Sequence, residues 1–350
     1  MNAVLASAPA LEVRRYTSAE HGAWDQYVHA HPQGTFFHLA AWADVIERSF
    51  GHRGHYLLAR RGDVIEGVLP LIHQKSLLFG NALMSIPFGV YGGVIASNAE
   101  SAGALIDAAS ALARDLGVDY LELRNRERSD LDWPTRDLYV TFRKTLAPTE
   151  EANFLAIPRK QRAMVRKGID AGLRAELDAG TERLYAAYSE SVRNLGTPVF
   201  AHRYFRELRH AFGDACEILT TLHQDRVAAS VMSFFFRDEV LPYYHGGTTM
   251  ARDYKANDFL YWELMRRACA RGVRIFDYGR SKRDTGSFAF KEHWGFEPAP
   301  LHYQYYLVRA RELPNVSPAN PRYRMFIRAW QHLPLPVSRA VGPLLARSLG

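Results

Sequence analysis

The chain has 350 residues, of which 47% are hydrophobic and 23% are charged. These proportions are typical of globular proteins and exclude a disordered, collagen-like or coiled-coil chain, and the length suggests two domains. The formal charge of +7 is too small for a protein that coats nucleic acid through many phosphate contacts. It is also uneven, because residues 311–350 contain six arginines and one acidic residue.

Cysteine content and the absence of targeting signals favour the cytoplasm. Cys216 and Cys269 both lie in apolar runs, so we expect buried hydrophobic side chains rather than a disulfide framework or zinc site. The N-terminus has no basic region before its weakly apolar stretch, which makes it a poor signal peptide. No apolar run reaches the roughly 18 residues that a membrane span needs.

An internal repeat determines the predicted fold. A helical apolar stripe ends in Gly51 and a second one ends in Gly213, and each precedes a strand, a tight turn and another strand. Later matches in both halves end with Glu122 and Asp277 at corresponding positions. We therefore predict an α/β (α+β) protein with two copies of one unit, each a mixed sheet with helices on its faces.

The boundary between the copies is predicted near residues 146–158, where Pro148 and Pro158 interrupt the pattern. The first domain is predicted to span 10–150 and the second 151–310. Residues 311–350 contain several prolines and are predicted to form a helical appendage.

The first candidate site is a helix start rich in cations, with Arg159, Lys160 and Arg162 in its first turn. A helix N-terminus attracts anions, and cations placed there oppose the helix dipole. Their cost would be offset by a bound phosphate or pyrophosphate. A solvated charged face is the alternative.

The second candidate site follows the buried strand that contains Asp277. It offers cations and hydroxyls to an anionic ligand: Arg280, Ser281, Lys282, Thr285 and Lys291. Loops at strand ends often carry function, although a polar surface loop is the alternative. The segment lacks the pattern of a Walker A motif.

The third candidate site is the strand end that contains Tyr244 and the pair Gly246-Gly247, followed by Asn257 and Asp258. Paired glycines allow a ligand to approach the backbone, whereas strand aromatics usually belong to the core. Asn257 or Asp258 would alternatively cap the next helix. No Gly-x-Ser-x-Gly, His-Glu-x-x-His or Gly-x-Gly-x-x-Gly motif occurs, and no metal site is predicted.

Four segments resemble the FemAB-type transferases, and in particular the branch associated with PEP-CTERM and exosortase systems of Gram-negative bacteria. They are residues 159–168, 192–198, 244–258 and 277–295. The run GRSKRDTGSFAFKEHWGFEP is the most specific stretch, and the resemblance covers roughly residues 10–310. It implies two tandem domains of the GNAT type.

The resemblance also implies transfer of an acyl or aminoacyl group to an amine of a cell-envelope or exopolysaccharide precursor. Arg280, Lys282 and Lys291 would then meet a diphosphate or carboxylate of a phosphorylated sugar or lipid-linked substrate. Tyr244 and Asn194 would line the cleft. The same segments add Asn257 and Trp294 to the substrate-binding candidates.

The sequence leaves the donor open between aminoacyl-tRNA and acyl-CoA. It has no long coiled-coil arm of the kind some family members carry, and no complete Arg/Gln-x-x-Gly-x-Gly/Ala pyrophosphate loop. No other cofactor is predicted, and the oligomeric state is left open.

Amide formation requires a base, donors for the oxyanion and alignment of the substrates. Asp277 is the candidate base, and Lys291 is the second candidate catalytic residue. The alternative for Asp277 is structural, pairing with Arg280 or with a helix N-terminus. A non-catalytic module that binds envelope precursors or partner proteins is the alternative function.

The appendage contains an amphipathic stripe of Tyr323, Phe326, Ile327 and Trp330, and a second apolar stripe that includes Leu344. Arginines flank the first stripe, which suits peripheral contact with an anionic inner membrane. Packing against the second domain is the alternative.

Overall fold

The computed structural model describes residues 9–76, 80–314 and 321–348, and only the backbone of residues 321–324. The side chain of Tyr323, which the sequence places in the first stripe of the appendage, therefore lies outside the described residues. Among the described helices, none combines the length and apolarity that crossing a membrane requires.

The described chain alternates helices and strands along its whole length. The α-helices are α1 (His21–Ala30), α2 (Ala41–Phe50), α3 (Ala99–Asp115), α4 (Glu150–Ala156), α5 (Arg159–Asp170), α6 (Glu182–Asn194), α7 (His202–Phe212), α8 (Met250–Asp253), α9 (Ala256–Ala270), α10 (Gly286–His293), α11 (Pro321–Gln331) and α12 (Leu335–Ala346).

The strands form three sheets. They are β1 (Leu11–Arg15), β2 (Arg53–Gly54), β3 (Leu57–Arg61), β4 (Val64–Leu69), β5 (Ile72–Ser76), β6 (Gly80–Met84), β7 (Ile95–Ala96), β8 (Tyr120–Asn125), β9 (Thr135–Arg136), β10 (Tyr139–Thr145), β11 (Arg174–Asp178), β12 (Cys216–His223), β13 (Arg226–Phe236), β14 (Glu239–Gly247), β15 (Ile275–Lys282), β16 (Pro298–Pro300) and β17 (His302–Leu307).

The first compact unit contains the chain up to Arg136 and the later segment His302–Pro314. Its two sheets have the strand orders β1-β3-β4-β7 and β2-β5-β6-β8-β17-β9. β6 and β8 are parallel, and the other described neighbours are antiparallel. Asn98 caps the N-terminus of α3, and its side chain accepts a hydrogen bond from the Ser101 N–H. Leu105 and Leu112 of this helix lie in the core.

The second unit contains Asp137–Leu301 and the C-terminal helices, and its seven-stranded sheet has the order β11-β12-β13-β14-β15-β10-β16. Helices cover both faces of this sheet. Tyr244 packs against Tyr188 of α6, whereas the next residue, His245, packs against Tyr261 of α9. Successive strand residues point to opposite faces, so α6 and α9 lie on opposite sides.

Gly246 is required where α6 crosses β14. A Cβ at this position would lie 2.3 Å from the backbone nitrogen of Tyr188. No side chain fits at that distance, so the glycine allows the helix and the strand to approach closely.

The two units exchange their closing strands. β10 follows the strands of the first unit along the chain, yet it pairs with β15 and β16 of the second. β17 follows β16, yet it pairs with β8 and β9 of the first unit. The division of the structure therefore differs from the predicted boundary at 150/151. Pro148 and Pro158 mark the loops around α4, and they carry no information about which sheet β10 joins.

Candidate functional site

Two parallel strands of the second unit separate from each other shortly after they begin. In the described chain, β14 and β15 pair only at Glu239–Ile275 and Val240–Phe276. Beyond these pairs, β14 continues beside β13 and β15 continues beside β10. In open α/β sheets, ligands bind at the carboxyl ends of adjacent parallel strands. The separation therefore defines a candidate crevice that ends at Gly247 and Lys282.

A bulge shapes β15 beside this crevice. Arg280 pairs with Thr141 and Asp277 pairs with Arg143, so three steps along β15 oppose two along β10. Gly279 lies in the bulge with a φ of 63°, a conformation that glycine adopts readily. The bulge re-aims the strand residues that follow it.

Lys291 of α10 holds the bulge through three hydrogen bonds. Its Nζ donates to the carbonyl oxygens of Tyr278, Gly279 and Arg280 at 2.7, 3.0 and 3.1 Å. Each N–H of the protonated amine therefore has an acceptor. Burial lowers the pKa of Lys291 to about 7, which brings its loss of a proton close to neutral pH.

Asp277 supports the same bulge and is fully buried. One carboxylate oxygen accepts a hydrogen bond from the Gly279 N–H at 2.7 Å, and the other lies 3.2 Å from Nε of Arg143. This arrangement favours the structural alternative for Asp277. The arginine in this ion pair is Arg143 of β10, whereas the sequence predicted Arg280.

Two cations of the predicted loop share one aromatic ring. The Arg280 guanidinium carbon lies 4.6 Å from the centroid of the Tyr139 ring, and the Lys282 ammonium lies 5.7 Å from it. Such contacts stabilise cations through the quadrupole of the ring. The end of β15 therefore carries two positive charges close together.

Hydroxyl groups complete this loop and begin α10. The Thr285 hydroxyl caps the helix by accepting from the Phe288 N–H and donates to the Lys282 carbonyl at 2.8 Å. Ser281 and Ser287 have their hydroxyl oxygens 3.3 Å apart. The structure thus places Arg280, Ser281 and Lys282 at the end of β15 rather than in the predicted loop, with Ser281 buried, and only Thr285 follows the strand.

The basic helix start and Trp294 meet at a buried carboxyl group. Asp258 accepts hydrogen bonds from the Trp294 indole N–H at 3.0 Å and from the Gln161 amide at 3.2 Å. Burial raises the pKa of Asp258. Trp294 is fully buried and has a core role in this arrangement, whereas Arg159 and Lys160 are exposed at the start of α5.

Tyr244 and Asn257 lie in different surroundings. The Tyr244 hydroxyl is buried 2.7 Å from that of Tyr204, which gives Tyr244 a packing role between β14 and α7. The side-chain oxygen of Asn257 lies 3.0 Å from Nε2 of His245. His245 belongs to the run Tyr243–Gly247 of the third candidate site, but a single histidine on an aromatic strand predicts no role of its own.

The two remaining candidates make local contacts. Arg162 donates to the Leu155 carbonyl at 2.8 Å, which links α5 to the helix before it. Asn194 is exposed at the end of α6, where its backbone carbonyl accepts from Gln331 of α11. The structure therefore does not join these residues to the loop after β15.

The first unit has a cavity of about 140 Å³ at the carboxyl end of β8. It is lined by Gln33, Thr35 and His38 and by residues 91–95 and 124–129. Its position corresponds to that of the loop after β15 in the other unit. The sequence signal for it was Gly92-Gly93, which aligns with Gly246-Gly247 in the repeat. Within the described ranges, no group of three or more His, Cys, Asp or Glu side chains could hold a metal ion.

The two units each contain a buried histidine that should make them less stable at acidic pH. Burial lowers the pKa values of His38 and His245 to about 4, from 6.5. Between about pH 6.5 and 4 the unfolded chain binds protons that the folded chain does not, so the unfolding free energy should fall by about 3 kcal/mol per histidine. Urea unfolding across this range measures the loss. His245→Gln should remove its share of the slope, and an unchanged slope would contradict the assignment.

Comparison with known proteins identifies the class of the fold. Residues 158–292 match the family model described as an acetyltransferase (GNAT) domain. No curated protein matches the chain by sequence. The crystal structure of FemX is 14% identical with a TM-score of 0.64, and the alignment covers 90% of this chain and 100% of FemX.

Two further structures share the architecture. The C-terminal domain of an Agrobacterium fabrum protein described as a lysylphosphatidylglycerol synthetase is 12% identical, with a TM-score of 0.57 over 82% of this chain and 92% of that one. A tandem GNAT protein from the clavulanic acid biosynthesis pathway is 12% identical, with a TM-score of 0.55 over 87% of this chain and 100% of that one. The predicted fold of two tandem GNAT-like domains is confirmed, and the domain match supports an acyltransferase.

Proposed function

We propose that this protein transfers an acyl or aminoacyl group to an amine of an anionic cell-envelope or exopolysaccharide precursor. The observation that carries the proposal is the separation of β14 from β15, a strand whose last residues include the half-buried cations Arg280 and Lys282. Diverging strands offer backbone hydrogen-bonding groups to a ligand, and the end of β15 offers two cations to an anion.

The substrate class rests on charge and on the sequence resemblance. Arg280 and Lys282 both contact the Tyr139 ring. Arg159 and Lys160 are exposed on α5. These cations suit a phosphorylated sugar or a lipid-linked precursor. The resemblance to the branch associated with PEP-CTERM and exosortase systems supports an envelope or exopolysaccharide acceptor.

Lys291 and Asp277 hold the reacting segment in position in this proposal. They bind the two sides of the β15 bulge, so the backbone groups that would meet a developing oxyanion are fixed before the substrate arrives. A pKa of about 7 would also allow Lys291 to exchange a proton during the reaction.

The donor is tested as two alternatives. One similar structure is described with reference to AcCoA and another with reference to lysylphosphatidylglycerol. Acyl-CoA and aminoacyl-tRNA are therefore both offered to the purified protein, with amine-bearing envelope precursors as acceptors. Mass spectrometry of glycan and peptidoglycan precursors from a deletion strain identifies the acceptor, because the unmodified precursor should accumulate there.

The cavity of the first unit favours a second candidate function, a non-catalytic module that binds precursors. Such a module would bind the ligand tightly and show no turnover with either donor. Lys291→Gln separates the two functions, since an enzyme should lose product formation while it retains ligand binding. A proton-transfer role would also change the dependence of the rate on pH, whereas a positioning role would lower the rate at every pH.

The loop cations should determine affinity for the acceptor. Lys282→Gln and Arg280→Gln are each expected to raise the KM for an anionic acceptor about tenfold, with a smaller effect on kcat, because each removes one charge-assisted contact. Steady-state kinetics at low salt measures the change. Arg274→Gln is the matched control, since this arginine is 77% exposed and precedes the other end of β15. Equal effects in all three variants would contradict the proposed site.

A further inference from the structure

Helix α12 exposes its large apolar side chains to solvent. Val337, Val341 and Leu344 are spaced by four and three residues, so they share one face of the helix. Their exposed fractions are 43%, 40% and 70%. A helix on the surface of a globular protein normally buries such a stripe, whereas α12 turns it toward solvent.

Small residues on the other face fix α12 to the second unit. Ser338, Gly342 and Ala346 are buried, and a Cβ at position 342 would lie 2.8 Å from the side chain of Val199. Arg339 donates from Nε to the Ser189 hydroxyl of α6 at 2.9 Å. α12 therefore packs on the second unit, as the predicted alternative had it, but only through this face. The apolar stripe stays uncovered within the described chain.

Helix α11 repeats the arrangement. Trp330 is buried, and Ile327 packs against Gly196 at the end of α6. Met325 and Phe326 of the same helix are exposed by 76% and 40%. Both C-terminal helices thus use part of their surface to attach to the unit and present apolar side chains on the rest.

The charge of the same segment has one sign. No Asp or Glu follows Glu312, whereas five arginines do: Arg322, Arg324, Arg328, Arg339 and Arg347. Among those with described side chains, Arg328 and Arg347 are exposed. Exposed apolar groups combined with cations complement an anionic bilayer. A second copy of this chain would bring the same positive charge to the interface and repel it.

We propose that α11 and α12 dock on an anionic phospholipid surface, with α12 lying in the plane of the interface. Val341 and Leu344 enter the boundary between headgroups and acyl chains, and the exposed Arg328 and Arg347 bind the lipid phosphates. The proposal does not depend on the proposed transferase function, because it concerns only where the protein binds.

Vesicle co-sedimentation of the full chain tests the proposal. The protein should bind vesicles of phosphatidylglycerol and phosphatidylcholine, should bind phosphatidylcholine alone far more weakly, and should be released by high salt. Val341→Glu and Leu344→Glu should each weaken binding about tenfold, because they remove an inserted apolar group and add a repelled charge. Leu155→Glu is the matched control, since Leu155 is an exposed leucine on α4 and should leave binding unchanged.

Three results would overturn the proposal. The first is that the protein does not bind anionic vesicles, or that the two glutamate variants bind them as tightly as the unmodified protein does. Far-ultraviolet circular dichroism checks that both variants are folded. The second is a dimer in sedimentation velocity that Leu344→Glu dissociates, which would assign the stripe to a second copy. The third is that tRNA at equal phosphate concentration abolishes vesicle binding while the glutamate variants have no effect. That result would assign the positive charge to RNA binding.

Discussion

Replacing Arg143 with methionine is expected to lower the unfolding free energy of the second unit by about 3–5 kcal/mol, the usual cost of removing one partner from a buried ion pair. Asp277 is fully buried, and Arg143 forms an ion pair with it, with Nε 3.2 Å from a carboxylate oxygen. The variant leaves that negative charge without its guanidinium partner. Urea unfolding followed by the circular dichroism signal measures the loss.

A double-mutant cycle separates this charge effect from lost packing. Asp277→Asn should cost less, because Arg143 also forms an ion pair with Glu239 and is partly exposed. The double variant should be more stable than Arg143→Met alone, since no unpaired carboxylate remains. Arg274→Met is the control, because its exposed pair with Asp238 contributes less than about 1 kcal/mol. A cost for Arg143→Met as small as that of the control would refute the assignment.

Replacing Arg124 with methionine is expected to have an effect of similar size, about 3–5 kcal/mol, on the first unit. Its buried guanidinium donates to Glu122 at 2.7 Å and to the carbonyls of Ile86 and Gly89 at 3.2 and 2.8 Å. The variant leaves the buried Glu122 carboxylate without its cation and removes the hydrogen bonds that hold the loop at Ile86 and Gly89, which leads to the cavity. Hydrogen exchange should increase in residues 85–93, where Ile86 has a φ of 56°.

The control for this prediction is Arg114→Met. Arg114 is an exposed arginine of the same unit that donates to the Tyr306 hydroxyl, so its loss should cost little. Exchange confined to residues 85–93 would show that Arg124 fastens this loop. Uniform exchange across the unit would instead mean that the whole unit unfolds as one, and the local part of the prediction would be wrong.

The repeat in the sequence predicted the fold because hydrophobic spacing reports on local structure. Glu122 and Asp277 correspond in sequence, and both are buried next to an arginine in the structure. Their partners were not predictable in the same way. Arg124 lies two residues from Glu122 on the same strand, whereas Arg143 reaches Asp277 from a strand in the other half of the sequence. No local pattern records such a long-range pair.

Arg280, Ser281, Lys282 and Thr285 were predictable as a group because they lie within six residues of the chain, although the sequence did not show that the first three belong to a strand. Arg162 was chosen for the charge of its helix start and Asn194 by resemblance, and the neighbours of both depend on how helices pack. Trp294 and Tyr244 show the same limit, since an aromatic side chain suits a binding cleft and a core equally well in sequence. Burial decides between these roles, and burial depends on tertiary structure.

The exchange of closing strands affects how the protein can be made. During synthesis β8 emerges from the ribosome long before β17, the strand that covers its edge, has been translated. The edge of β8 therefore stays unpaired, or pairs transiently with another strand, until almost the whole chain has been synthesised. Separate expression of residues 10–150 and 151–310 would give each fragment a strand that belongs to the other. The two halves are similar in sequence, yet each would lack a strand of its own sheet.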